Sequence, residues 1–426
     1  MERQYKDSGI EWIGRIPENW QYKRFKYSGI FEKGKLPESS NIDNNGLPII
    51  GASEMLGKDA RTYTIDESVP QCKKDDILIL WDGANAGITA TGLEGVVSST
   101  AVKYNCTDNS VLSKYAAYIL KYAEHYFKEK VTGTTIPHMN MAYINDFPLL
   151  FPPMNEQQRI ANYLDEKCGE IDSLIGLQEQ MIEKLKAYKQ SVITEAVTKG
   201  LNPNAKLVPS GIDWIDEIPE GWLVGRFYFL NWIRARLGWR GLKADEYTET
   251  GYPFLSAFNI INYKLDWSEI NFINQERYDE SPEIKLNVGD VLLVKDGAGI
   301  GKCARVDSLP YGPSTVNGSI AVITPCKDLW YKFLYYYLQS NPFWNIINLL
   351  LVGMGVPHLT QYNMKNIYLP LPPLSEQQSI ASYLDGKCSE IDSLIALKQQ
   401  KIEKLKAYKK SVIYEAVTGK TNVSDN

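Results

Sequence analysis

From Glu156 onwards, apolar residues recur on a heptad: Ala161, Leu164, Cys168, Ile171, Ile175, Ile182, Leu185, Val192 and Ala196. Gln178 and Lys189 interrupt the seam. The spacing returns at Ala381, Leu384, Cys388, Ile391, Ile395, Ile402, Leu405, Val412 and Ala416, interrupted by Lys398 and Lys409. Seams sustained this long predict two long helices that pair as a coiled coil. Each begins after a double proline, in "PPMNEQQ" and "PPLSEQQ". This predicts Asn155 or Ser375 as the N-cap, with Gln158 or Gln378 in the capping-box position. At 1.5 Å per residue the run Glu156 to Thr198 makes a rod of about 64 Å. Leu174, Leu177, Met181, Leu394 and Leu397 widen the stripe beyond one seam. The extra width serves either the chain's own globular parts or a second partner.

Outside these runs the periods are short and mixed. "LPIIGASEM" and "YPFLSAFNI" read as short strands, and "DDILILWDG" and "GDVLLVKDG" as strands ending in Asp-Gly turns. "LSKYAAYILKYAEHYFKE" and "LWYKFLYYYLQSNPFWNII" have helical spacing, and their aromatic residues read as core. The expected class is α+β, with two α/β globular parts alternating with two long helices that pair antiparallel. The predicted boundaries are 1–152, 153–200, 201–372 and 373–420, with a disordered tail at 421–426.

The chain is an internal duplication, the feature to seek before any fold assignment. "GIEWIGRIPENW" (Gly9 to Trp20) returns as "GIDWIDEIPEGW" (Gly211 to Trp222). "ILILWDGANAGIT" (Ile77 to Thr89) returns as "VLLVKDGAGIGKC" (Val291 to Cys303), and "GTTIPHMN" as "GMGVPHLT". Between Glu156–Thr198 and Glu376–Thr418, 33 of 43 positions are identical, whereas the globular parts share only scattered anchors. The repeat therefore has a constant half and a divergent half. "VTKGLNPNAKLVPSG" links the first helix to the second tryptophan motif.

Composition adds limits. An apolar content of 44% supports real cores, and a net charge of −5 leaves nucleic-acid binding to local patches. Six cysteines without a C-x-x-C pair, and three histidines, argue for reduced thiols and no metal site. The beginning of the chain has no signal-peptide pattern, and the longest apolar run, "WNIINLLLVGMGVP", is too short to span a membrane.

Basic and aromatic residues cluster early in each globular part. Lys23, Arg24, Lys26, Lys33 and Lys35 lie in the first, and Arg226, Arg234, Arg236, Arg240 and Lys243 in the second. Such stretches suit phosphate contacts; an ordinary solvated face explains the same charges, and the repetition favours function. Asn85, Asn259 and Asn262 are the further candidates for reading base edges. "GAGIGK" is a weak match to a nucleotide loop, because Asp296 and Cys303 stand where Gly and Ser/Thr are needed, so a tight turn is expected. His138 and His358 are read as structural, with no carboxylate motif around them. No H-E-x-x-H, G-x-S-x-G, P-loop or methyl-donor fingerprint is present, so no catalytic residue is assigned.

The tryptophan motifs, the run "PLPPLSEQQSIASYLD" into "KIEKLKAYKKSVI", and the two-copy layout resemble the specificity subunit of type I restriction–modification systems. The resemblance covers essentially the whole chain. It implies that the divergent parts are target-recognition domains, each reading one half of a split DNA sequence. It implies that the helices form an antiparallel spacer through Leu164, Ile171, Ile175, Ile182, Leu185, Val192, Leu384, Ile391, Ile395, Ile402, Leu405 and Val412, and dock two methyltransferase subunits. Restriction subunits would join that core in a prokaryotic cytoplasm. The chain itself would be non-catalytic, with the methyl donor bound by the methyltransferase subunit rather than by this chain. A coiled-coil adaptor for a non-nucleic-acid partner, and an enzyme with two active sites, are the competing readings.

Overall fold

The computed structural model describes residues 3–11, 13–131, 137–236, 242, 246–297, 299–351 and 358–423. The chain forms two compact units. One holds Met1–Glu179 with Gln399–Asn426, and the other holds Gln180–Lys398. Each long helix, Met154–Lys199 and Leu374–Val417, gives one half to each unit.

The two units are built from the same parts. In the first, four antiparallel strands run in the spatial order Gly29–Lys33, Ala101–Cys106, Ile77–Leu80, Thr89–Ala90. In the second, Asn231–Arg234, Ile320–Pro325, Val291–Val294 and Cys303–Arg305 repeat that order. Ile77–Leu80 and Val291–Val294 are continuous apolar runs because both faces are covered, and every residue in them is buried. A parallel pair recurs beside each sheet, Leu47–Ile50 with Gly95–Val97 and Tyr252–Leu255 with Thr315–Val316. An N-terminal hairpin recurs too, Tyr5–Asp7 with Arg15–Pro17 and Leu207–Ile212 with Ile215–Pro219.

The helical stretches differ in one respect. Ser113–Glu129 is a single helix, whereas its counterpart breaks into Tyr331–Tyr337 and Asn341–Leu351. Pro342, in the first turn of the second helix, has no N–H to bond the Leu338 carbonyl, so the first helix cannot run on through it. In "LPIIGASEM" and "YPFLSAFNI" the strand covers only the first half, and Ala52–Met55 and Ala257–Asn259 are helical turns. The aromatic residues are core: Tyr115, Phe127, Phe333, Tyr337 and Phe343 are fully buried.

The long helices pair antiparallel inside each unit. Leu164 and Cys168 share a core with Val412, Ile413 and Ala416 in the first unit. Val192, Ile193 and Ala196 share one with Ala381, Leu384 and Cys388 in the second. Ile171, Ile182, Ile391 and Ile402 are buried, and Ile175, Leu185, Ile395 and Leu405 are half-buried. Two of the interruptions are ion pairs across the helices. Lys409 Nζ lies 2.6 Å from Asp172 Oδ2, and Lys189 Nζ lies 2.7 Å from Asp392 Oδ1. Each aspartate meets the lysine of the other copy, which specifies the antiparallel register. The wider stripe stays in solvent: Leu174, Leu177, Leu394 and Leu397 are exposed.

The helix starts differ from expectation. Both helices begin two residues earlier than those caps imply, at Met154 and Leu374. The Pro153 carbonyl accepts from the N–H groups of Glu156 and Gln157, and the Pro373 carbonyl from those of Glu376 and Gln377. Asn155 and Ser375 therefore already lie in the first turn. Gln158 donates to Asn162 instead of reaching back to a cap.

Candidate nucleic-acid interface

A shared joint fastens each globular part to the helix pair. Trp20 Nε1 donates to Glu156 Oε2 at 3.0 Å, and Trp222 Nε1 donates to Glu376 Oε2 at 3.0 Å. The next residue is a buried glutamine. Gln157 accepts from the Leu112 N–H (2.9 Å) and donates to the carbonyls of Ser110 (2.8 Å) and Pro152 (3.0 Å). Gln377 accepts from the Trp330 N–H (2.7 Å) and donates to the carbonyls of Asp328 (2.9 Å) and Pro372 (2.9 Å). The opposite helix ends on the same indole. Gly419 (φ +71°) packs on Pro17 and Trp20, and Gly200 (φ +73°) on Trp222 and Glu376. The left-handed conformation and the close approach both require glycine there. The joint strands pair Gln21–Arg24 with Pro148–Phe151 and Leu223–Arg226 with Tyr368–Leu371.

A second duplicated contact lies nine residues, about two and a half turns, along each helix. Asp165 accepts from Tyr118 at 2.7 Å and pairs with Lys114. Its counterpart Asp385 accepts from Tyr336 (2.7 Å), Arg305 (2.5 Å) and Lys332 (3.0 Å). Burial opposes ionisation of Asp385, but the hydrogen bonds from Arg305, Tyr336 and Lys332 hold its carboxyl below the usual carboxylate range. Burial pushes the neighbouring Cys388 thiol up to about 11, which keeps it an inert core group.

The turns after the central strands are alike. Gly87 N–H returns to the Leu80 carbonyl (2.8 Å) and Gly301 N–H to the Val294 carbonyl (2.9 Å). These amides are spent inside hairpin turns, as the turn reading expects, and are not aimed at a nucleotide. Reading His138 and His358 as having no carboxylate partner needs correction. His138 Nδ1 lies 2.6 Å from Asp82 Oδ1, and His358 Nδ1 bonds Asp296 Oδ1. The aspartate of each Asp-Gly turn is the partner, 56 residues before His138 and 62 before His358.

Several of the candidate DNA contacts are engaged by carboxylates of their own unit. Lys23 pairs with Asp108 at 3.0 Å, while Arg24 and Lys26 both lie near Asp146, at 3.2 and 3.4 Å. Hydrogen bonds from the Ser110 hydroxyl and N–H, then Lys23, depress Asp108 to about 2. Lys33 reaches the other cluster, 3.9 Å from Asp82 and over the Trp81 ring, beside the turn that carries half-buried Asn85. Lys35 is exposed. In the second unit Arg226 bonds Asn366, Arg236 lies 3.5 Å from Glu280, and Asn262 is exposed on a hairpin at φ +50°. Arg240 and Lys243 lie outside the described residues. Two candidates are committed to the interior. Arg234 is buried against Asp290 (2.7 Å), Thr324 (2.8 Å) and two carbonyls, so its guanidinium neutralises a core carboxylate. Asn259 is buried; it accepts from the Ser256 N–H and donates to the Glu269 carbonyl.

Comparison with known proteins fits this duplicated plan. A family described as the type I restriction modification DNA specificity domain matches residues 17–187 and again 240–407. The chain belongs to that family. Among relatives, it is 29% identical over 418 residues to the type I restriction enzyme MjaVIII specificity subunit of Methanocaldococcus jannaschii, covering 96% of this chain and 95% of that one. It is 27% identical over 208 residues to the EcoKI specificity subunit of Escherichia coli, covering 48% of this chain and 44% of that one. A chain solved in work on complex assembly and conformational transition of the type I R-M system shares its fold, with a TM-score of 0.70 and 16% identity over 95% of this chain and 99% of that one. Each matched segment includes one Glu-Gln pair at a helix start. Among the described residues no helix is long and apolar enough to cross a membrane, and no group of three or more His, Cys, Asp or Glu could hold a metal ion.

Proposed function

We propose that each globular part of this specificity-family member reads one half of a split DNA sequence. The paired helices set the spacing of the halves and dock two methyltransferase subunits. One observation carries the reading. The Trp–Glu–Gln joint and the Asp–Lys helix register are reproduced in both units, while the parts mounted on them have diverged. Identical mounts suit identical partners, and unlike readers suit an asymmetric site. The exposed pairs Leu174 with Leu177 and Leu394 with Leu397 supply the same apolar feature to each methyltransferase subunit.

In this reading the chain does no chemistry. Adenine methylation and the methyl donor belong to the methyltransferase subunits, restriction subunits join the same core, and the assembly works in the prokaryotic cytoplasm. The adaptor reading loses its ground once the matched family is a DNA specificity domain. The test is single-molecule methylation mapping after co-expression with the methyltransferase subunit. A bipartite motif that appears only with this chain is expected. Insertion of one heptad into each helix should lengthen the unread spacer and leave both half-site sequences alone. No new methylation from a stable complex would refute the function, and an unchanged spacer would refute the ruler.

A further inference from the structure

Two histidines, one in each unit, are presented in the same way on parts that otherwise diverge. His138 and His358 each follow a proline and precede a buried apolar residue, Met139 or Leu359. The following N–H anchors the segment to the central-strand turn, Met139 to the Trp81 carbonyl (2.9 Å) and Leu359 to the Lys295 carbonyl (2.8 Å). The loop aspartate takes Nδ1 in both. The side chains nevertheless stay 56% and 49% exposed, and no hydrogen bond engages Nε2 among the described residues. A lysine stands beside each carboxylate but comes from different places. Lys33, on the edge strand, lies 3.9 Å from Asp82, and Lys295, directly before its aspartate, lies 2.5 Å from Asp296. The two units have thus arrived at one His–Asp–Lys cluster by unlike routes.

A staple for the loop would need only the Nδ1 contact, and would have no use for an exposed ring edge or a rebuilt cation. A group shared by two readers of different sequences must meet something that every duplex has. That common feature is the phosphate backbone, which fixes position without carrying sequence. We infer that His138 and His358, each oriented by its loop aspartate, are DNA phosphate contacts, one in each reader. The ring donates from Nδ1 to the carboxylate and from Nε2 to a phosphate oxygen, so the bound form is the imidazolium, and the neighbouring lysine adds to the attraction. The inference rests on the two-reader function proposed above.

Side-chain amides separate the two ring nitrogens. Asparagine can keep the donor to the aspartate while losing Nε2, whereas glutamine carries its amide out to about the Nε2 position. The full chain, in complex with its methyltransferase subunits, is titrated with duplexes carrying the mapped motif over a range of salt. His138→Asn and His358→Asn should each weaken binding about tenfold, the scale of one charge-assisted hydrogen bond. Each should also flatten the log–log salt dependence by about 0.9, the share of one phosphate. The methylated motif and the thermal midpoint should not change, and His138→Gln and His358→Gln should recover part of the affinity. Wild-type affinity and slope in the asparagine variants would overturn the inference. So would a changed half-site, which would make the ring a base reader, or an affinity loss that tracks the thermal midpoint and is not recovered by glutamine. Absence of duplex binding by the wild-type complex would instead overturn the two-reader function, and this inference with it.

Discussion

The joint and the first strand of the central sheet make an instructive pair. At the joint the two units agree nearly atom for atom, with one indole on one carboxylate and one glutamine satisfying three backbone groups. On the strand they do not. Lys103 lies opposite Glu32 in the first unit and pairs with it near the surface, at 2.8 Å. In the second unit Val322 lies opposite Arg234, which turns inwards to a fully buried Asp290. The same fold position carries a surface ion pair in one unit and a core ion pair in the other. A buried network tolerates few substitutions because each lost partner strands another group, whereas a strand facing solvent can be rewritten. Duplication followed by unequal constraint therefore yields constant mounts and divergent readers.

The largest expected effects lie at the mounts. Trp20→Ala and Trp222→Ala should each cost about 3–5 kcal/mol, as removal of a buried Trp does, read as a shift in the denaturant midpoint. Comparable losses in both units would confirm that the mounts are equivalent; a loss in only one would break the comparison. Arg234→Met should cost about 3–5 kcal/mol by leaving Asp290 buried and unpaired, while Glu32→Gln should stay within about 0.5 kcal/mol. Equal costs for those two would erase the contrast between the strands. Gln157→Ala and Gln377→Ala each leave three backbone groups without their partner, one of those bonds buried and two part-buried, and should cost about 1–3 kcal/mol by the same measurement. Smaller still is the helix register. Lys189→Met removes one partly exposed pair and should change stability by about 0.5 kcal/mol, and by less in high salt.

Asp108 predicts a pH effect in the first reader. Its carboxyl falls from 3.8 in the free residue to about 2 in the fold. A depressed carboxylate adds stability above the unfolded value, and loses it as pH falls from about 4 towards about 2. Asp108→Asn should remove that part of the acid dependence, measured as the thermal midpoint against pH. An unchanged profile would mean that the hydrogen bonds of Ser110 and the Lys23 pair do not stabilise the fold.

Burial along a helix leaves a period, and eight of the twelve seam positions are buried while Ile175, Leu185, Ile395 and Leu405 are half-buried. Lys189 and Lys409 looked like defects because their partners, Asp392 and Asp172, are local only once the helices are antiparallel. Trp20 and Trp222 were visible as repeats, but their meaning lay 136 and 154 residues away in Glu156 and Glu376. The carboxylate partners of the histidines were missed for the same reason, since each belongs to a distant turn. The basic residues misled in another way. Composition counts a cation without saying whether it faces water, and Arg234 faces a core carboxylate.

The central claim is that constant mounts carry interchangeable readers. Its most direct test replaces residues 1–152 with the corresponding part of another family member, leaves both helices intact, and maps methylation by single-molecule sequencing with the same methyltransferase subunit. One half-site should change while the other half-site and the spacer length are preserved. A change in both half-sites, or in the spacer alone, would contradict it.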